Sequence, residues 1–101
     1  MDEKVLQDSM QLIFYAGNAK SLAMEAIGLA ETGKIKEARD KLNGAREELK
    51  KSHKIQTGMM QEEINGKFVE KSILLIHSQD HFMGASLCCD LAEKFVNVYD
   101  K

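Results

Sequence analysis

The chain contains no proline among its 101 residues, and runs of β-branched residues are scarce. Proline interrupts helices and β-branched residues favour strands, so these absences favour long, unbroken helices. The clearest interruptions are Thr32-Gly33 and Asn65-Gly66, where glycine can end a helix in the left-handed conformation. The sequence therefore predicts an all-α fold with helices over residues 3–31, 35–64 and 69–99.

The short connections between these helices predict an antiparallel, up-down-up three-helix bundle. A chain of 101 residues is one domain by length. A single modest core is as much as a chain of this size can build. We therefore expect residues 1–101 to fold as a single unit.

Cysteine, charge of one sign and long apolar runs are also scarce. Cys88 and Cys89 are sequence neighbours, and a bond between them would be strained, so we expect free thiols that fill the core.

The net charge is −2, without the basic patch that nucleic-acid binding requires. No run approaches the ~20 apolar residues that cross a bilayer, and the acidic start is unlike a signal peptide. These features predict a cytoplasmic protein that neither binds nucleic acid nor inserts into a membrane.

Apolar residues form more stripes than one small bundle requires. On helix 3, residues spaced by three and four form two adjacent stripes, and helix 1 carries a second stripe as well. The first stripe of helix 3 consists of Leu74, His77, His81, Gly84, Cys88, Leu91, Phe95 and Val98. The second stripe of helix 3 consists of Val69, Ile73, Ile76, Asp80, Met83 and Leu87. The second stripe of helix 1 consists of Leu6, Met10, Ile13 and Gly17. Two stripes on one helix predict burial on more than one side.

Three polar side chains interrupt the stripes of helix 3. His77 and His81 lie one turn apart on one stripe, whereas Asp80 lies on the other. Buried polar groups cost free energy unless they find partners. In helix 2 an apolar stripe becomes polar at Ser52 and Gln56. Because helix 2 is antiparallel to helix 3, we expect residues 52–57 at the level of residues 77–81.

Three chemistries could use this set, and the spacing does not choose among them. Histidines at i and i+4 can chelate a metal, but further ligands and the glutamate of HExxH are missing. A histidine beside a carboxylate could act as a general base, although no nucleophile motif appears. A neutral imidazole can also act as a nucleophile toward phosphorus.

The segment HSQDHFM, residues 77–83, resembles a motif of one protein family, and so do SHKIQTGMMQEE upstream and YAGNAKSLAMEAI in helix 1. The family is the enzyme IIA component of the lactose/cellobiose (N,N'-diacetylchitobiose) family of the bacterial phosphoenolpyruvate-dependent sugar phosphotransferase system. The resemblance extends from about Leu12 to the C-terminus. Phe82 stands where leucine is usual in the family, and Gly84 where threonine is.

The resemblance implies a phosphocarrier, a phosphotransferase component without small-molecule turnover of its own. His77 would accept a phosphoryl group from HPr and pass it to a cysteine of the cognate enzyme IIB during uptake of a β-disaccharide such as lactose, cellobiose or chitobiose. The resemblance further implies a homotrimer, a nine-helix bundle in which one Asp80 per subunit meets a divalent metal such as magnesium at the threefold axis. Gln56, Gln79 and His81 are expected to orient the imidazole or to bind the phosphoryl oxygens.

Two other functions stay open on the residues. A histidine phosphotransfer domain of two-component signalling is also helical, but it usually has a lysine three residues after its histidine, where this chain has Asp80. A non-catalytic, metal-binding trimeric helical bundle would explain the stripes and Asp80 without any turnover.

Overall fold

The structure is a computed structural model that describes residues 2–101. It contains three long helices, α1 (Glu3–Glu31), α2 (Ile35–Ile64) and α3 (Ile73–Tyr99). They run up, down and up in an elongated bundle about 51 Å long. No strand occurs within residues 2–101. The predicted all-α, antiparallel three-helix bundle is confirmed.

Local hydrogen bonds and glycines set the ends of the first two helices. The Asp2 carboxylate accepts a hydrogen bond of 2.8 Å from the Lys4 backbone N–H and so caps α1. Gly33 and Gly66 follow the ends of α1 and α2 with φ angles of 81° and 89°. This left-handed conformation suits glycine because it has no Cβ. Both predicted helix ends are confirmed.

The predicted start of helix 3 at residue 69 is wrong, since α3 begins at Ile73. Ser72 has an extended backbone, and its hydroxyl accepts a hydrogen bond of 3.1 Å from the Leu75 N–H. A serine in this position satisfies one of the free donors at a helix N-terminus. Val69 is buried all the same, in the connection that precedes α3.

The core consists mainly of small side chains. Helix α1 packs along both other helices, whereas α2 and α3 contact each other much less. Small residues allow this close approach of α1 to its neighbours. Both cysteines are free thiols, as expected, and Cys89 is fully buried. The core residues are Ala16, Ala19, Ala23, Ala26 and Ala30 of α1, Ala38, Leu42 and Ala45 of α2, and Ala85, Cys89, Ala92 and Val96 of α3.

Neither of the two stripes predicted for helix 3 forms its core face. The buried face is a third stripe, consisting of Leu75, Ser78, Phe82, Ala85, Cys89, Ala92 and Val96. Most large apolar residues of the predicted stripes lie on the outside, where those from Ile76 onward are between 47% and 64% exposed. We call this surface the outer face of α3; it comprises Ile76, His77, Asp80, Met83, Leu87, Leu91, Phe95 and Val98.

Polar contacts join α2 to α3 where apolar packing is thin. The Arg46 guanidinium donates to the carboxylates of Asp90 and Glu93, at 2.9 Å and 3.1 Å. Arg39 donates in the same way to Asn97 and Asp100 further along. Within the described residues, none of the three helices combines the length and the hydropathy that a membrane span requires.

Candidate functional site

Residues 52–57 of α2 and 77–81 of α3 lie at the same level of the bundle, as predicted. The Gln56 side-chain amide donates a hydrogen bond of 3.0 Å to Gln79 Oε1. The His53 ring stacks on the Phe82 ring, with centroids 5.4 Å apart. The polar section of α2 and the polar section of α3 therefore meet.

His77 is exposed to solvent, and His81 lies half-buried one turn further along α3. Their ring centroids are 4.8 Å apart and the ring planes meet at 80°. A reactant from outside can therefore reach the His77 ring, and the His81 ring lies close enough to contact whatever binds there. This is the feature of the structure that most resembles a reaction centre.

Burial disfavours the charged form of the second imidazole. The pKa of His81 is lowered, first by burial and then by its interactions with His77 and Lys20, and Asp80 opposes this only in part. Its Nδ1 atom is buried and has no hydrogen-bond partner within residues 2–101. A neutral imidazole has one N–H donor and one acceptor nitrogen, so His81 can donate to an anion at His77.

The two glutamines form a pair, but they do not contact His77 in the same chain. Gln79 faces α2, where its amide nitrogen also lies 3.4 Å from Ser78 Oγ. Residues i and i+2 of a helix do not face each other, so Gln79 points away from the His77 ring. Ser78 in turn donates to the Leu75 carbonyl at 2.6 Å. The pair therefore fixes the rotation of α3 about its axis at the level of His77.

Asp80 is exposed on the outer face of α3, between Ile76 and Met83. These two neighbours are 57% and 62% exposed, so in a single chain the carboxylate is solvated rather than buried. No group of three or more histidine, cysteine or acidic side chains within residues 2–101 could hold a metal ion. A metal at Asp80 would therefore require ligands from further copies of the chain.

Two apolar depressions flank the site. A cavity of about 310 Å³ lies between the end of α2 and the start of α3, next to Gln79; its lining is Met59, Met60, Glu63, Val69, Lys71, Leu75, Ile76 and Gln79. A groove of about 390 Å³ lies beside the outer face of α3; its lining is Met24, Ile27, Gly84, Leu87, Cys88, Leu91 and Phe95. Exposed apolar surface of this kind marks regions that contact other proteins.

Two buried polar residues at this end of the bundle were not predicted from the sequence. Ser9 and Ser78 are both fully buried. Ser9 Oγ has no hydrogen-bond partner among the described residues. The spacing of Ser9, Leu12 and Ala16 along one face of α1 contains the signal that would have predicted the burial of Ser9.

Comparison with protein families gives a match over nearly the whole chain. The family described as "PTS system, Lactose/Cellobiose specific IIA subunit" matches residues 7–100. The lichenan-specific phosphotransferase enzyme IIA component of Bacillus subtilis is 43% identical over 101 residues, which cover 100% of this chain and 92% of that protein. The cellobiose-specific EIIA component of Lactococcus lactis is 38% identical over 87 residues, which cover 86% of this chain and 75% of that protein.

Solved structures show the same helical bundle. The crystal structure of the PTS cellobiose-specific enzyme IIA from Bacillus anthracis superposes with a TM-score of 0.94 at 41% identity, over 98% of this chain and 91% of that one. A solution structure from the Escherichia coli phosphotransferase system contains the IIA(Chitobiose) chain in complex with HPr. That IIA chain superposes with a TM-score of 0.78 at 27% identity, over 97% of this chain and 95% of that one.

Proposed function

Because this chain belongs to the lactose/cellobiose-specific IIA family of the sugar phosphotransferase system, and is thus a phosphotransferase component, we propose that it is a phosphocarrier that works through His77. The observation that carries the proposal is the exposed His77 ring with the neutral His81 ring beside it, 4.8 Å away. HPr is the phosphoryl donor, by analogy with the IIA(Chitobiose)–HPr complex. The acceptor is a cysteine of the cognate enzyme IIB, during uptake of a β-disaccharide such as lactose, cellobiose or chitobiose.

The transfer consists of two in-line displacements at phosphorus. The lone pair of a neutral His77 nitrogen attacks the phosphorus of phosphohistidine on HPr, a P–N bond forms, and the P–N bond to HPr breaks. The thiolate of enzyme IIB then attacks the same phosphorus, a P–S bond forms, and His77 leaves with its lone pair restored. Positioning and charge stabilisation govern such steps more than proton transfer does.

His81, Gln56 and Gln79 have supporting roles in this scheme. The neutral His81 ring donates its N–H to a phosphoryl oxygen on His77, next to which it lies. The Gln56–Gln79 hydrogen bond of 3.0 Å lies on the α2 side of α3. The glutamines therefore orient the His77 imidazole by fixing the rotation of α3, which makes them positioning residues.

We further propose that the chain assembles as a homotrimer, with the outer faces of α3 around the threefold axis. The support is the row of large apolar residues on this face, such as Met83 and Leu87, that a single chain leaves 62% and 60% exposed. A threefold axis would bring three Asp80 carboxylates together. Since three carboxylates repel one another, they would bind a divalent cation such as Mg²⁺, whose ligands are oxygens. The single Asp80 per chain fits such a shared site.

Labelling with radioactive phospho-HPr tests the carrier function. We expect label on the wild-type chain and none on His77→Ala, while His81→Ala is labelled more slowly. His53→Ala is a matched control, because His53 is also exposed but lies on α2 and stacks on Phe82. Label on the wild type should pass to enzyme IIB and not to a variant that lacks its cysteine.

Three outcomes would contradict the carrier function. Absence of label on the wild type would favour the non-catalytic, metal-binding bundle. Undiminished label on His77→Ala would place the phosphoryl group on another residue. Label donated by a response-regulator receiver domain instead of HPr would favour the histidine phosphotransfer domain of two-component signalling.

A further inference from the structure

Two buried polar atoms near the site have no hydrogen-bond partner within residues 2–101: Ser9 Oγ on α1 and His81 Nδ1 on α3. Ser9 is fully buried. An unsatisfied buried donor or acceptor is costly, and native proteins contain few of them. Two such atoms in one small bundle therefore require an explanation.

Contacts with α2 place both atoms at one level of the bundle. Ser52 of α2 donates to the Leu12 carbonyl of α1 at 3.3 Å, and the adjacent His53 stacks on Phe82 of α3. Leu12 and Phe82 therefore lie at similar heights. Because α1 and α3 run in the same direction, Ser9, three residues before Leu12, lies at about the height of Gln79, about 3 Å below His81 along the bundle.

The two side chains also point into the same interface. Phe82 faces α2, and consecutive residues of a helix are rotated by about 100°, so the buried edge of His81 is turned toward α1. Asp8 lines a surface depression together with Lys54 and Gly58 of α2, so it lies on the α2 side of α1. Ser9, the next residue, is accordingly turned toward α3. The two orphaned atoms thus share the α1–α3 interface.

We infer that one water bridges Ser9 Oγ and His81 Nδ1, which do not bond to each other directly, and that Ser9 so acts as a positioning residue for phosphoryl transfer. The bridging water can accept a hydrogen bond from the Ser9 hydroxyl and donate to Nδ1 the proton that this acceptor lacks. With Nδ1 accepting, the proton of the neutral ring must be on Nε2.

The consequence of this inference for phosphoryl transfer rests on the proposed function, because a phosphoryl oxygen on His77 requires a fixed Nε2–H on His81. The His77 and His81 rings are nearly perpendicular at a centroid distance of 4.8 Å. A ring that could flip or change tautomer would present a lone pair, and not an N–H, to the phosphoryl group. Ser9 would therefore act on the reaction without contacting the reacting atoms.

The test compares Ser9→Ala with Ser52→Ala. Ser52 is a matched control, because it is also fully buried but donates to the Leu12 carbonyl. In long-range ¹H–¹⁵N spectra of the unphosphorylated protein, we expect the Nδ1 resonance of wild-type His81 to show an accepted hydrogen bond. Ser9→Ala should remove this signature, and Ser52→Ala should leave it in place.

Thermal unfolding gives a second readout. If Ser9 has no partner, alanine removes an unsatisfied hydroxyl and the melting temperature rises; if Ser9 serves His81, alanine leaves Nδ1 unsatisfied and the melting temperature falls. We expect a fall. Phosphoryl transfer from HPr should slow about two- to tenfold in Ser9→Ala, the range for loss of one hydrogen bond, and remain unchanged in Ser52→Ala.

An unchanged His81 Nδ1 resonance in Ser9→Ala, or a higher melting temperature, would overturn the inference. Both readouts use protein that carries no phosphoryl group. They can therefore fail while His77 is still labelled, and they can succeed even if the carrier function is wrong.

Discussion

The core face of α3 carries smaller residues along most of its length than the outer face does. Ala85, Cys89 and Ala92 are fully buried on the core face, whereas Met83 and Leu87 are 62% and 60% exposed on the outer face. Burial stabilises a protein by about 25 cal/mol per Å² of apolar surface, so a chain that acts alone gains most by placing its large residues inside. This arrangement leaves much of the large apolar surface of the single chain exposed.

This difference also separates two requirements. Small residues on the core face let three helices approach closely, which determines the shape of one bundle. Large residues on the outer face are available to other chains, and His77 and Asp80 lie among them. In the proposed trimer, the shared carboxylate therefore belongs to the surface that assembly covers, and the reactive histidine to its accessible border.

The largest expected effect comes from a charge on the outer face. In the proposed trimer, Leu87→Arg places three positive charges near one another in an apolar interface, where unpaired charges are costly. We expect the variant to be a helical monomer in sedimentation velocity. Gln61→Arg is the control, because it adds the same charge to an exposed position of α2. A monomeric wild type, or a Leu87→Arg variant that stays trimeric, would refute this arrangement.

A smaller effect is expected from overfilling the core face. Ala85→Leu adds three carbon atoms where no space is available, and such changes typically cost about 1–3 kcal/mol. Urea unfolding should show this loss, with helicity retained below the transition. Lys50→Leu, at an exposed position of α2, serves as the control and should change stability little. Equal effects of the two variants would mean that the core face is less tightly packed than the structure shows.

Removal of the acidic group from the outer face should leave the stability of the trimer unchanged or raise it, by less than Ala85→Leu lowers the stability of the chain. Asp80→Leu replaces the carboxylate between Ile76 and Met83 with an apolar side chain. We expect the trimer to persist or to become more stable, because no charge then needs a cation. Its melting temperature should not respond to Mg²⁺ or to a chelator, whereas that of the wild type should. Dissociation of the Asp80→Leu trimer would argue against Asp80 on the axis.

The smallest effect is expected at the edge of α3 that faces α2. Arg46 makes ion pairs with Asp90 and Glu93, at 2.9 Å and 3.1 Å, and all three side chains are at least 36% exposed. Exposed pairs contribute about 0–1 kcal/mol. Arg46→Ala should therefore destabilise the chain by less than Ala85→Leu in urea unfolding, and less still at high salt. A larger loss than that of Ala85→Leu would reverse this ranking of the faces.

The sequence was sufficient to predict the helices and the meeting of the two polar sections, and it failed on the orientation of α3. Glycines after α1 and α2 are strong local signals, and antiparallel order brings Gln56 to Gln79 without further information. The start of α3 was predicted too early, because the capping hydrogen bond of Ser72 competes with an apolar pattern that continues back to Val69. The core face was overlooked because alanine, serine and cysteine carry little hydrophobic signal.

The amino-acid sequence by itself determined the all-α class, the antiparallel order, the family and the HSQDHFM segment that contains His77, Asp80 and His81. These features depend on local propensity, on short connections and on a motif within one helix. Only the tertiary structure decided which stripe of α3 faces α1 and α2, and hence that His77 is exposed and the His81 Nδ1 buried. The physical reason is that neighbouring stripes of a helix differ by a small rotation, and close packing of small side chains across three helices selects among those rotations.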